Sequence, residues 1–145
     1  MHGKPGSRDL KHDITRGEIL ETSVEKRTVF RDYSDLSNEF YLKCYSLEEV
    51  LIEKMTALVG RMEPRDLYDF WYLTEIEKVN INVLTFNNKA RSKGHNPDLF
   101  ARKILSKEIA FKRDWSMKLA SQIHDLPDFN TVFRETKRHI KQIKI

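Results

Sequence analysis

The chain has one cysteine, Cys44, in 145 residues. It can form no internal disulfide and hold no Cys-based zinc site, and a reducing cytoplasm is the default setting. Cys44 itself is expected to act as a small hydrophobe in a strand. No apolar run approaches the roughly 18 residues that a membrane-spanning helix needs. The opening residues, MHGKPGSRDLKHD, lack the apolar segment of a secretory signal. Internal repeats, low-complexity tracts and long linkers are missing, as are GxSxG, HExxH and Walker motifs. The GKPGS run at 3–7 is too short for a phosphate-binding loop and does not follow a strand. His2, His12, His95, His124 and His139 are scattered, with no metal-like pairing, and read as surface or loop residues.

What is present suits one domain with a real core: 39% hydrophobic and 33% charged residues. The net charge of +4 hides an asymmetry. Residues 1–80 carry 12 Lys and Arg against 16 Asp and Glu, whereas residues 81–145 carry 14 against 6. A basic half can attract nucleic acid or nucleotide phosphates. It can equally be a set of solvated helix faces or a surface for an acidic protein.

The first 45 residues hold short strand-like pieces. Leu10–Thr15 alternates polar and apolar, and Arg27–Arg31 and Phe40–Tyr45 are rich in β-branched and aromatic residues. Asp32–Asn38 between them is turn-like. From Ser46 onward the chain reads as helix. Ser46 and Glu49 form a capping box, and Gly60 weakens the end of the helix they open. Pro64 suits the first turn of a second helix, reaching to about Glu75. A third spans Asn80–Gly94, Asn96-Pro97-Asp98 opens a fourth, and Lys107–Ile123 forms a fifth. Ile109, Phe111, Trp115, Leu119 and Ile123 are its buried candidates; Leu67, Phe70, Trp71 and Ile76 are those of the second. A turn at Asp125–Asp128 leads into a basic last helix. Strands followed by a helical bundle make the fold class α+β, with 1–45 and 46–145 expected to pack as one unit. Two or three short strands make a poor sheet, so either helices cover its edges or it is part of a larger one.

The segment Ser46–Leu73, SLEEVLIEKMTALVGRMEPRDLYDFWYL, concentrates the chemistry. Winding it at about 100° per residue puts Leu47, Val50, Leu51 and Leu58 on one face with Lys54 in the middle and Arg61 near the edge. A buried ammonium must reach water, pair with a carboxylate or face an anion. Asp66 or Asp69 can supply the carboxylate, which would make Lys54 structural; a phosphate would make it functional. Asp66 and Asp69 share a helix face, and Arg65 can pair with Asp69 four residues on. Asp66 also sits in a first turn, where a carboxylate simply favours the helix dipole. Asp13, on the polar side of its strand, can help hold a divalent metal or act as a base, and otherwise is an exposed strand residue.

The run YSLEEVLIEKMTALVGRMEPRDLYDFWYL (Tyr45–Leu73) closely resembles the signature of the AbiEii/AbiGii-type nucleotidyltransferase toxins. LKHDITRGEIL (Leu10–Leu20) is similar to the strand that carries a later acidic residue of that family. The resemblance implies a polymerase-β-like nucleotidyltransferase, the toxin half of a bacterial or archaeal toxin–antitoxin pair linked to phage defence. Residues 1–45 would then be part of the nucleotidyltransferase sheet. The implied reaction moves a nucleotide from an NTP, with Mg²⁺, to an acceptor such as a tRNA end, under control of an antitoxin protein. Carried over, Asp13 would be the third, metal-binding carboxylate and Lys54 a catalytic triphosphate contact. Asp66 would be the late catalytic acid, with Arg61, Arg65 and Asp69 lining the substrate site. The family's Gly-Ser followed by Asp-x-Asp has no counterpart: no Asp-x-Asp occurs anywhere in the chain, and the only Glu-x-Glu, Glu75-Ile-Glu77, lies on the wrong element. The expectation is a truncated form, inactive alone. A non-enzymatic helical module binding RNA or protein through 81–145 is the alternative.

Overall fold

The computed structural model describes residues 14, 16–28 and 41–143. Asp13, nearly all of the strand expected over 10–15 and the turn at 32–38 lie outside them. Two short strands, β1 (Glu25–Thr28) and β2 (Tyr41–Cys44), pair antiparallel with Glu25 opposite Cys44. Six α-helices follow: α1 (Leu47–Gly60), α2 (Pro64–Trp71), α3 (Val83–Ser92), α4 (Phe100–Ser106), α5 (Glu108–Leu119) and α6 (Phe129–Gln142). The α+β class therefore holds. Among the described residues the strands touch each other and no helix. β1 is exposed along its length, and Tyr41 and Leu42 of β2 are about half exposed. The helices thus do not cover this sheet.

Local chemistry explains the helix bounds. The Ser46 hydroxyl accepts the Glu49 N–H at 3.0 Å and opens α1. Only half of the expected capping box forms, because the Glu49 carboxylate turns to another segment, described below. At the other end Arg61 and Met62 both donate to the Ala57 carbonyl, and Met62 takes a left-handed φ of 57°. That tight reversal swings the chain back so that Pro64 starts α2 beside α1. Asn82 and Asp128 cap α3 and α6 in the same way as Ser46 caps α1.

The core lies where α1 packs on α2, α3 and α4, and α5 and α6 extend it by packing on α2 and α4. Leu51, Met55 and Leu58 of α1 meet Leu67 and Phe70 of α2, Phe86 of α3 and Phe100 and Ile104 of α4, all essentially without solvent contact. Phe100 packs in edge-to-face fashion with Phe70 and Phe86, with centroids 5.7 and 5.3 Å away. Two expected core residues prove exposed. Ile109 is 84% exposed because the buried side of α5 is Phe111, Trp115 and Leu119 at four-residue spacing, and Ile109 winds to the opposite face. Ile76 is 51% exposed because α2 continues as a π-helical turn, Tyr72–Ile76, closed by Glu77 N–H on the Tyr72 carbonyl at 3.0 Å. The wider turn shifts its register off the core stripe.

The same turn aims Glu75 at α6. Its carboxylate lies 2.6 Å from both Arg138 Nη2 and His139 Nε2, while Trp71 Nε1 donates to Glu135 at 2.7 Å. Hydrogen bonds from Arg138 and His139 hold the Glu75 carboxyl down to about 2 from 4.5. A carboxylate lowered in the folded state adds stability above its unfolded pKa and loses it as pH falls through the folded value. Unfolding titrations should show stability draining away between roughly pH 4.5 and 2. Glu75→Gln should flatten that region; an unchanged acid profile would remove Glu75 from the account.

Candidate functional site

Four of the sequence-picked residues converge where α1 turns into α2. Asp66, fully buried, receives both Arg61 Nε and Arg61 Nη2 at 2.8 Å, a bidentate pair. Lys54 reaches the same group, 3.6 Å from Asp66 Oδ1 and 2.6 Å from Asp69 Oδ2. Burial alone would raise the Asp66 carboxyl; the Arg61 hydrogen bonds and the charges of Arg61 and Lys54 outweigh it and hold it below the ordinary carboxylate range.

Lys54 does not occupy the middle of the buried face. Met55, Ile52 and Val59 are buried as well, and they turn the apolar stripe of α1 away from it. Lys54 stands at the stripe's edge, its side chain 22% exposed and reaching the rim. Arg65 does not pair with Asp69, whose partner is Lys54. Arg65 is exposed and has no ion-pair partner among the described residues. It lines a smaller groove, of about 350 Å³, with Glu63, Pro64 and Lys118.

Lys54 and Arg61 open onto a cleft of about 530 Å³ along α1. Its walls are Glu53, Thr56, Ala57 and Gly60 of α1 together with Lys93 and His95 from the loop after α3. Gly60 is what allows the loop this close: a Cβ there would lie 3.0 Å from His95 Nε2.

Behind Glu53 lies a network that the sequence reading passed over. Lys89 of α3 is fully buried and pairs with Glu49 at 3.2 Å and Glu53 at 2.6 Å, and it donates to the Ile19 carbonyl. Glu49 Oε2 accepts the N–H groups of Glu21 and Thr22 at 2.9 and 2.8 Å and the Thr22 hydroxyl. Lys93 completes the set with Glu53 at 2.7 Å and Glu18 at 3.4 Å. The segment 18–22 is thereby tied to α1 and α3. Burial would lower the Lys89 ammonium, yet the hydrogen bonds and charges of Glu53 and Glu49 win and hold it above its usual value. The legible signal was a matched spacing, Glu49 and Glu53 against Lys89 and Lys93, each pair four apart and so on one helix face.

The residues described do not fit a divalent-metal site. Asp66 has both oxygens engaged by Arg61, Asp69 is held by Lys54, and no cluster of three His, Cys, Asp or Glu among the described residues could hold an ion. No helix among them is long and apolar enough to cross a membrane. No curated protein and no solved structure matches the chain. A family model does, over residues 3–135, and it is described as Nucleotidyl transferase AbiEii toxin, Type IV TA system. With most of its length matched, including the helices that build the cleft, the chain belongs to the AbiEii nucleotidyl transferase toxin family of toxin–antitoxin systems.

Proposed function

We propose that this chain serves the phosphate side of nucleotidyl transfer and transfers no nucleotide by itself. The observation that carries the reading is the cleft along α1, which Lys54, Arg61 and Lys93 line with Glu53 as the only acid on its wall among the described residues. Nearby Asp66 and Asp69 hold Lys54 and Arg61 in place from behind. Side chains fixed this way meet a polyanion without first being ordered. Lys54 and Arg61 neutralise charge on the triphosphate, and Asp66 positions both cations rather than holding a metal. The 145 residues contain no Asp-x-Asp, so the acidic pair that would hold Mg²⁺ has to be provided from outside them. Under this reading the toxin is inactive without an acidic pair supplied by another segment, takes an NTP, and uses an RNA end such as that of tRNA as acceptor. The family's toxin–antitoxin arrangement implies an antitoxin partner.

The alternative, a helical module binding RNA or protein through its basic half, draws less support. Arg113, Lys118, Lys137 and Arg138 are each paired with a carboxylate, as Lys54, Arg61 and Lys93 are, but they do not line one concave site as the cleft cations do.

Calorimetric titration with ATP tests the proposal. Lys54→Ala should weaken binding about tenfold or more, as expected for loss of a charge-assisted contact, with the helical CD signal retained. Equal affinity in the variant would make Lys54 purely structural. Incubation of the chain alone with labelled NTP, Mg²⁺ and tRNA should give no incorporation; labelled product would end the claim that it is inactive alone.

A further inference from the structure

A second cavity, of about 350 Å³, lies where the chain enters α3, at the opposite end of that helix from the loop that walls the α1 cleft. The 10 residues of α3 span about 15 Å between the two. Val79, Ile81 and Val83, at two-residue spacing, give this cavity an apolar wall, and Lys78, His139 and Gln142 stand among its polar groups. No Asp or Glu lines it among the described residues. The π turn before it closes with the Glu77 N–H on the Tyr72 carbonyl and the Val79 N–H on the Leu73 carbonyl, and Lys78 between them takes a φ of 53°. Glycine is the usual residue at such a closure, because a side chain is strained there. Here the position carries a lysine whose side chain is 71% exposed and 3.5 Å from Glu75. Glu75 is held more closely by Arg138, at 2.6 Å, so it does not fully neutralise Lys78. His139 Nε2 lies 2.6 Å from the same carboxylate, which fixes the ring in advance and leaves Nδ1 as its other polar atom.

We infer that this cavity binds a small carboxylate on a branched apolar body, the carboxylate meeting Lys78 and His139 and the body lying against Val79, Ile81 and Val83. Apolar walls with a few convergent polar groups are the usual make-up of a small-ligand site. The sign of the ligand follows from a lining that holds cations and no acid. Its apolar body follows from the Val-Ile-Val wall, which offers a compact hydrated anion nothing in exchange for lost water. A strained backbone position persists where its surroundings fix it, ligand clamps included, and π turns recur at functional sites. The site is separate from the α1 cleft and takes its ligand whether or not that cleft takes a triphosphate.

Amide NMR spectra of the isotope-labelled protein, titrated with 4-methylpentanoate, its amide, acetate and N-acetyl-leucine, provide the test. The free acid should give saturable shifts centred on residues 78–83 and 139–143, with a Kd of about 1 mM or tighter. The amide, which lacks the charge, and acetate, which lacks the body, should each bind about fivefold or more weakly. Lys78→Gln keeps the stem and the same backbone demand, and Gln142→Glu puts an acid on an exposed rim position; each should weaken 4-methylpentanoate about fivefold or more. If either variant lost its helical CD signal, His139→Gln carries the same expectation. N-acetyl-leucine separates two sources of the carboxylate: tighter binding than the free acid assigns it to the end of a peptide chain, and weaker binding assigns it to a free acid. Shifts that are scattered or never saturate overturn the site. An amide that binds as well as the acid overturns the carboxylate, and variants that all bind like the parent overturn its placement at Lys78 and His139.

Discussion

Replacing Lys89 with methionine is expected to lower unfolding free energy by about 3–5 kcal/mol, the usual consequence of removing one partner from a buried ion pair. For a chain of this size that is a fall in Tm of about 10 °C or more, readable by CD melting. The methionine fills a similar volume, so the loss comes from charge: Glu49 and Glu53, one turn apart on the same face of α1, would have no ammonium between them. Glu53 keeps Lys93, but Glu49 is 1% exposed and keeps only the backbone N–H groups of Glu21 and Thr22 and the Thr22 hydroxyl. Adding Glu49→Gln to Lys89→Met should therefore recover part of the loss, a non-additivity that a simple cavity would not produce. Amide exchange at Glu21 and Thr22 should quicken in the single variant, since Lys89 also holds the Ile19 carbonyl. A loss below about 1 kcal/mol would show that water reaches the site and solvates the carboxylates.

This network also marks the limit of what was legible beforehand. Element order and class were readable because apolar spacing and caps are local: Ser46, Pro64, Asn82 and Asp128 each sit where a helix starts. Within the site, the company that Lys54 keeps with Asp69 was readable as one of its alternatives, since both belong to one contiguous stretch. Lys89 was not, because its partners are 40 and 36 residues upstream and its own helix, VLTFNNKARS, is polar enough to make a lysine unremarkable. The Arg61–Asp66 pair was missed for a different reason. It spans the turn between two helices, and helical spacing says nothing across a residue such as Met62 at positive φ. Ile76 failed because a π turn breaks the register that places every later residue on a face.

Asp66→Asn is the second large effect and links stability to the cleft. The amide keeps the shape of the carboxylate but turns one acceptor into a donor facing the Arg61 guanidinium, and removes the charge that both Arg61 and Lys54 approach. A cost of about 2–3 kcal/mol is expected, below that of Lys89→Met because the Arg61 side chain is 55% exposed and can turn to water. That escape has a functional consequence: Arg61 leaves its place at the cleft, so affinity for ATP should fall along with stability. In Arg61→Gln the same substitution at Asp66 should cost clearly less, because the pair acts as a unit. The pH dependence follows the same logic. The folded Asp66 carboxyl lies below its ordinary value, so its contribution is present above about pH 3.8 and is lost as pH falls through the lowered value. On acidification the parent should therefore converge on the Asp66→Asn variant, whose stability curve lacks this component; two curves that stay parallel down to acid unfolding would mean that Asp66 contributes shape rather than charge.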